Sequence, residues 1–584
     1  MLKQRVTETL DKLSSIRAVK YGMYLTAVMV FLTLILLPPI FGILMKWDTM
    51  QNVIADPSQM NRATNAVAYS FIVALLVSAV DVATGIPMAW LIARRKSKWI
   101  NVLDTLSDVP FIVPTAVLGY SLLLFWSSSQ GVSAIFGNPL VSPGWILVIL
   151  LHFAFSYPVV VRVIVGALLD YKKEYENASR TLGAPPFTVS RTVTIPIIRT
   201  SLIAAFILAF SRSISETGAT FIVAGAFENG PVFIQNMKDG FKNGAITQPV
   251  YEGSIVFASF ILMAVALTIF GLIRGLGPRL KLPVKRIWPT FERKLSYVKA
   301  TRTRDYSTIL IFLALAFLPS IFVALPAFQA IFTGTFSKSL LGSGIFQHTP
   351  DFRQLQITGT LPKALLGLGI WGEYWNSLFL SYSLAAIVTI VNVFIGLPMA
   401  IIIARRKLGA LPSAILDVLV NIPLIVPSIA LGVSLAIFWK NLAFVPEMLL
   451  LILAHLAITY PYFVRSMSAA TERISMDIEE ASRTLGAKPL GVFRTIILPL
   501  TKYSILSGAV MVFTRSISET GATVAVVSTL RTAPVVLVDW VPRFGKQTIL
   551  ATPLEIGLGC GFLMLFSFII LLALRLSIKG KGRY

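Results

Sequence analysis

A series of apolar runs, each long enough to cross a bilayer, constrains this 584-residue chain more than any other feature. A helical span needs about 20 consecutive apolar residues, and in hydrocarbon every backbone N–H and C=O must be satisfied within the protein. Length and flanking charge mark out about twelve such runs. They cover residues 22–44, 66–92, 109–127, 145–169, 200–226 and 253–274, then 307–328, 377–403, 422–442, 448–469, 502–529 and 555–576. Charged residues make up 13% of the chain, against about 25% in soluble domains. The expected fold is therefore all-α, a polytopic integral membrane protein.

The net charge of +24 raises nucleic acid as a partner. In so apolar a chain, excess Lys and Arg belong instead to loops beside anionic lipid. No basic groove interleaved with aromatics and no recognition motif accompanies the charge. Lipid is the expected partner, and nucleic acid is not. Cys560 stands alone, so there is no disulfide framework, and His152, His348 and His455 are far apart. No metal site is expected. Residues 1–20 are polar and basic, and no small-residue cleavage site follows the run at 24–44, which reads as a retained helix.

Charge sets the orientation. Lys3, Arg5, Lys12, Arg17 and Lys20 precede the first span, and Arg94, Arg95, Lys96 and Lys98 follow the second. Lys172, Lys173, Arg180 and Arg191 follow the fourth, and residues 274–304 are basic throughout. Arg405, Arg406 and Lys407, then Arg473 and Arg483, repeat the pattern before Lys579, Lys581 and Arg583 end the chain. These segments alternate correctly if both termini are cytoplasmic. The opposite segments include a charge-poor one at 127–143 and long ones at 45–65, 227–252, 329–376 and 530–554.

The chain is also duplicated. Gly85-Ile86-Pro87-Met88-Ala89 matches Gly396-Leu397-Pro398-Met399-Ala400, and Ile112-Val113-Pro114 matches Ile425-Val426-Pro427. Residues 212–220, RSISETGAT, are identical to 515–523. Each copy holds an even number of spans, so the two share one orientation, as parallel repeats about an axis along the membrane normal. The expected division is a first half at 1–276, a basic linker at 277–306 and a second half at 307–584.

One polar, cationic loop occurs in both halves. It reads Glu176-Asn177-Ala178-Ser179-Arg180-Thr181-Leu182-Gly183 in the first and Glu479-Glu480-Ala481-Ser482-Arg483-Thr484-Leu485-Gly486 in the second, with Ile195-Pro196 and Leu498-Pro499 beyond. Packing constrains spans rather than loops, so a repeated loop points to something that docks twice. Each copy can form a short helix ended by a left-handed glycine. The pattern resembles the EAA signature of binding-protein-dependent ABC importer permeases, at 172–196 and 473–499. Asn177 departs from it where the family has glutamate, which makes the two loops unequal.

The resemblance implies that the loops couple to two cytoplasmic ATPase subunits through Glu176, Asn177, Ala178, Gly183, Glu479, Glu480, Ala481 and Gly486. It also implies an external substrate-binding protein and transport by alternating access in the cell membrane of a bacterium or archaeon. The chain has no G-x-x-x-x-G-K-[ST] phosphate loop. ATP and Mg are thus expected on the partner subunits, with no cofactor and no catalytic residue in this chain.

Inside the spans, Arg212 and Glu216, and Arg515 and Glu519, stand at i,i+4, as an ion pair on one helix face or as cavity-facing groups. They either line the path or hold the halves together. The stretch looks like the fifth span of molybdate and sulfate permeases, which points to an oxyanion, whereas related fused permeases are associated with ferric iron or thiamine. Asp81, whose repeat partner is Asn392, is expected to pair with an arginine, with contact to a cationic substrate as the second reading. His152 and His455 are expected to make helix-packing hydrogen bonds. The rival function is a proton-coupled secondary transporter of the twelve-helix major facilitator type, with Asp81, Glu216 and Glu519 as proton carriers. An intramembrane enzyme is weaker, lacking paired carboxylates or an H-E-x-x-H motif.

Overall fold

A computed structural model describes residues 11–12, 14–95, 97–129, 131–276, 289–326, 328, 346–348, 355–357, 369–441, 445–542, 551 and 553–579. Lys3, Arg5, Lys96, Lys581, Arg583 and the linker stretch 277–288 lie outside them, as do most of 329–368 and residues 543–550. The fold is a polytopic all-α membrane protein of two parallel repeats. Among the described residues nine helices are long and apolar enough to cross a membrane, and up to twelve spans result if each sharply bent helix pair is one span.

The first half comprises α1 (Arg17–Met45), α2 (Pro57–Arg94), the bent pair α3 (Lys98–Phe111) and α4 (Thr115–Ser127), and α5 (Trp145–Asp170). It continues with the loop helix α6 (Glu174–Thr181), α7 (Pro186–Ile197), α8 (Arg199–Ser215), and the short helices α9 (Gly218–Val223) and α10 (Gly230–Lys242). It closes on α11 (Gln248–Leu276). After the linker helix α12 (Pro289–Leu295) the order recurs: α13 (Val298–Ile321), α14 (Gly369–Ala404), the bent pair α15 (Ala410–Ile425) and α16 (Ser428–Lys440), and α17 (Glu447–Glu472). Then come the loop helix α18 (Met476–Thr484), α19 (Pro489–Ile517), α20 (Gly521–Val526), α21 (Ala533–Trp540) and α22 (Pro553–Lys579). A three-residue antiparallel pair, Phe346–His348 with Leu355–Ile357, lies between α13 and α14.

Proline explains much of the local shape. Wider π-helical turns at Leu32–Leu36, Ser190–Thr194, Phe312–Phe317 and Phe493–Ile497 each end two residues before a proline: Pro38, Pro196, Pro319 and Pro499. A proline ring clashes with the carbonyl four residues back and supplies no N–H, and the wider turn accommodates both defects. The expected spans at 109–127 and 422–442 are not straight. They bend by 105° and 103° at Val113-Pro114 and Val426-Pro427. The residue before proline is driven out of the helical region, and Val113 (ψ 127°) and Val426 (ψ 131°) are extended.

The expected spans at 200–226 and 502–529 are likewise broken. Helix α8 stops at Ser215, and α9 restarts at Gly218; α19 stops at Ile517, and α20 restarts at Gly521. Such breaks survive at membrane depth only inside protein, and Glu216, Thr217, Gly218, Glu519, Thr520 and Gly521 are all buried.

The halves exchange their first spans. Helix α1 packs on α14, α16 and α17, and α13 packs on α2, α4 and α5. At the matching positions a serine clamps a proline carbonyl of the other half: Ser434 Oγ donates to Pro39 O, and Ser121 Oγ to Pro319 O at 2.6 Å. Gly42 permits the first of these contacts, since a Cβ there would lie 1.9 Å from Ser434 O.

Candidate functional site

The two loop helices are built alike. Glu176 and Glu479 are buried and point away from solvent. Arg94 Nη2 meets Glu176 Oε1 at 2.7 Å, and Arg405 Nη2 meets Glu479 Oε1 at 2.7 Å. Both arginines sit where the second span of their half ends, so each glutamate ties its loop helix to a span. Asn177, Glu480, Ala178 and Ala481 are exposed. Gly183 and Gly486 close the helices with φ of +84° and +88°, and their N–H groups donate to Arg180 O and Arg483 O at 2.9 Å. Just before them, Leu182 is 88% and Leu485 89% exposed. Each loop therefore presents a bare leucine on a rigid turn. Arg94, Arg405, Leu182 and Leu485 were not among the sequence candidates. The Ala-Arg-Arg-Lys repeat at 93–96 and 404–407 was the available signal for the arginines.

The segment ahead of each half's first span clamps the other half's loop. Phe187 N donates to Ser296 Oγ (3.1 Å), and Glu292 accepts from Thr188 Oγ1 (2.7 Å) and pairs with Arg191 (2.8 Å). In the counterpart, Leu490 N donates to Ser14 Oγ (3.3 Å).

The broken spans meet at the pseudo-twofold axis. A Cβ on Gly218 would lie 2.1 Å from Thr520 Oγ1, and one on Gly521 2.6 Å from Thr217 Oγ1. Ser428 Oγ donates to Ser215 O (3.0 Å) and Thr115 Oγ1 to Ser518 O (3.2 Å) across the same seam. Each carboxylate caps the helix that follows it: Glu216 Oε1 accepts from Ala219 N (3.1 Å) and Glu519 Oε1 from Ala522 N (2.9 Å). A histidine staples each break, as expected of helix-packing residues. His152 bridges Ser213 Oγ (2.8 Å) and Thr220 Oγ1 (2.9 Å), and His455 bridges Ser516 Oγ and Thr523 Oγ1 at 2.9 Å each.

The arginines differ. Arg515 Nη1 pairs with Glu519 Oε2 at 2.6 Å, across a helix end rather than along a helix. Arg212 makes no such pair with Glu216 and takes the cavity-facing alternative. It lies over the rings of Phe111 and Phe155, 4.9 and 5.2 Å from their centroids, and its Nε donates to Phe155 O at 3.2 Å. The repeat positions of those rings hold Leu424 and Ile458, which offer no π face. Both guanidiniums line one cavity of about 30 Å³ with Thr115, Tyr462 and Ser518.

Asp81 is elsewhere. It is fully buried, and its bond is from Ser156 Oγ to Oδ2, not the arginine pairing expected. Asn392 stands in the same place with Nδ2 donating to Thr459 Oγ1 at 2.8 Å. Helices α10 and α21 cover the far side of the seam, in stretches expected as loops, each anchored by a serine: Ser70 Oγ accepts from Gly230 N and Ser381 Oγ from Ala533 N, both at 2.8 Å. Between them opens a vestibule of about 690 Å³ lined by Arg62, Glu228, Lys238, Lys242, Arg531 and Asp539. Burial pulls Lys238 down to about 8; Lys242 and Lys440 add to this, while Asp239 and Asp539 oppose it. Its ammonium donates to Val524 O of the other half. Among the described residues no cluster of three His, Cys, Asp or Glu could hold a metal.

The family model for the "binding-protein-dependent transport system inner membrane component" matches residues 85–282 and again 396–579. The sulfate transport system permease protein CysT of Salmonella typhimurium is 31% identical over 208 residues, 34% of this chain and 72% of the relative. A probable sulfate transport system permease protein cysT of Marchantia polymorpha is 28% identical over 255 residues, 42% of this chain and 84% of the relative. The sulfate transport system permease protein CysW of Escherichia coli is 28% identical over 227 residues, 38% and 74% respectively. Each relative thus aligns with less than half of this chain, while the family model fits twice, as a fusion of two permease units requires.

Proposed function

Since the chain belongs to the family of binding-protein-dependent transport system inner membrane components, a multi-pass transport subunit of the inner membrane, we propose that it supplies both halves of the pathway of an ATP-driven importer for a small oxyanion. In this reading two ATPase subunits dock on α6 and α18 from the cytoplasmic side, where both termini also lie. ATP and Mg act on those subunits. A binding protein delivers substrate over the vestibule between α10 and α21. Closing of the ATPases pushes the loop helices, and the halves part at the Thr217–Gly218 and Thr520–Gly521 contact.

The repeated loop carries this reading. Two short helices, each tied to a span through a buried arginine–glutamate pair and each ending in an exposed leucine, have the form of sockets for a motor. A proton-coupled carrier has no use for such sockets, and the family match weighs against the major facilitator alternative. An oxyanion is preferred to ferric iron or thiamine because the relatives are named sulfate permeases and because two arginines line the seam.

The test is native purification of the tagged chain in mild detergent, followed by mass measurement of the intact complex. Two ATPase subunits per chain, with sulfate uptake that fails on ATP depletion, is the expected result. A chain that runs alone, with uptake that collapses when the proton gradient is removed, overturns it.

A further inference from the structure

Two arginines share the cavity behind the seam, and only one of them is neutralised. Arg515 has the Glu519 carboxylate at 2.6 Å. Glu216, which could have served Arg212, instead turns Oε1 onto the N–H of Ala219. Among the described residues Arg212 has no carboxylate within ion-pair distance. Of its five N–H donors, Nε alone has a hydrogen-bond partner among the described residues, Phe155 O. A guanidinium at this depth costs several kcal/mol unless its charge is compensated, and two ring faces compensate it only in part.

Position adds to the case. Residue 212 lies about 20 Å along its helix from residue 199, at 1.5 Å per residue, and five residues before the Thr217–Gly218 contact. The cavity thus lies on the loop side of the seam, with the vestibule on the other side. Thr115, Tyr462 and Ser518 add neutral hydroxyls to its wall. At about 30 Å³ it has room for two or so waters, so an ion enters it only when the halves separate.

We infer that Arg212 and Arg515 form a transit site for a tetrahedral oxyanion immediately behind the seam, with Arg212 as the primary ligand and Arg515 as a second donor already balanced by Glu519. This rests on the oxyanion reading of the function. The unequal pairing suits transit: one free guanidinium offers the forked donors that fit an oxyanion, whereas two would hold it too tightly to release.

The test uses the complex purified with its own ATPases and binding protein and reconstituted in proteoliposomes. Uptake of radiolabelled sulfate and of molybdate is measured alongside binding-protein-stimulated ATP hydrolysis for the wild type, Arg212→Gln and Arg212→Lys. Loss of one charged hydrogen-bonding group corresponds to about a tenfold or greater fall in oxyanion uptake. That fall is expected in Arg212→Gln while ATP hydrolysis continues, with partial recovery in Arg212→Lys, which keeps the charge and not the fork. Equal oxyanion uptake by wild type and Arg212→Gln overturns the site alone. Parallel loss of uptake and stimulated hydrolysis in both variants assigns Arg212 to holding the halves together and also overturns it. Wild-type uptake of ferric iron or thiamine, with neither sulfate nor molybdate taken up, overturns the site and the oxyanion reading together.

Discussion

Arg405 and Glu479, 74 residues apart in the chain, form an ion pair of 2.7 Å with each side chain only 3% exposed. The pair makes the second loop helix an extension of α14. Removing one partner of a buried pair strands the other charge and costs about 3–5 kcal/mol. Glu479→Gln and Arg405→Ala are each expected to detach α18, so that the ATPase no longer co-purifies and uptake stops while the chain remains in the membrane. The first pair, Arg94–Glu176, is more exposed at 14% and 9%, so Glu176→Gln should cost less. Pull-down of the ATPase against the three single variants checks the order. Equal retention by wild type and Glu479→Gln would remove the pair from the coupling path.

Gly486 sits at φ +88° and donates its N–H to Arg483 O. Proline there is excluded twice, because its ring fixes φ near −65° and it carries no donor. Gly486→Pro is expected to distort the turn that holds Leu485 outward and to leave ATP hydrolysis running without transport. Gly486→Ala faces open space and bears only the left-handed backbone penalty, about 1–2 kcal/mol, so it should transport at a reduced rate. Uptake at constant membrane protein level measures both. Normal uptake in Gly486→Pro counts against the docking assignment.

Asp81 and Asn392 occupy the same position in the two halves and face a hydroxyl with opposite polarity: Asp81 accepts from Ser156, and Asn392 donates to Thr459. An uncharged amide therefore already occupies this site in one half, bonded through its Nδ2. Asp81→Asn is expected to leave uptake unchanged, whether assayed with or without a proton gradient. If that variant abolishes a gradient-dependent uptake, Asp81 is a proton carrier and the secondary-transporter reading returns.

The spans, the repeat and the two loops were legible because each has a local signature: apolar length, identical words such as RSISETGAT, and an Ala-Ser-Arg-Thr-Leu-Gly run beside charge. The interruption at Glu216 was not. Apolar runs flank the polar break on both sides, so residues 212–216 read as part of one continuous helix; the helix ends because Glu216 caps the next helix and His152 bridges the gap. Val113-Pro114 carried a usable signal for the bend between α3 and α4, since the residue before proline avoids the helix. The exchange of first spans had none. It depends on the fit of Gly42 to Ser434 and of Ser121 to Pro319, contacts between residues hundreds of positions apart.

The seam itself gives the last prediction. The Gly218 backbone lies so near Thr520 that an added Cβ would come within 2.1 Å of Oγ1 and 2.6 Å of the threonine Cβ. No rotamer of Thr520 moves its own Cβ, so Gly218→Ala must push the two halves apart. The short helices α9 and α20 then no longer close against each other, and the vestibule is expected to communicate with the Arg212–Arg515 cavity without ATP. Passive sulfate leak from proteoliposomes should rise in Gly218→Ala. The double variant Gly218→Ala with Thr520→Gly relieves the overlap and should restore the tight state, which separates a specific seam defect from general misfolding. A leak that persists in the double variant, or none in the single one, would mean that closure lies elsewhere along the path.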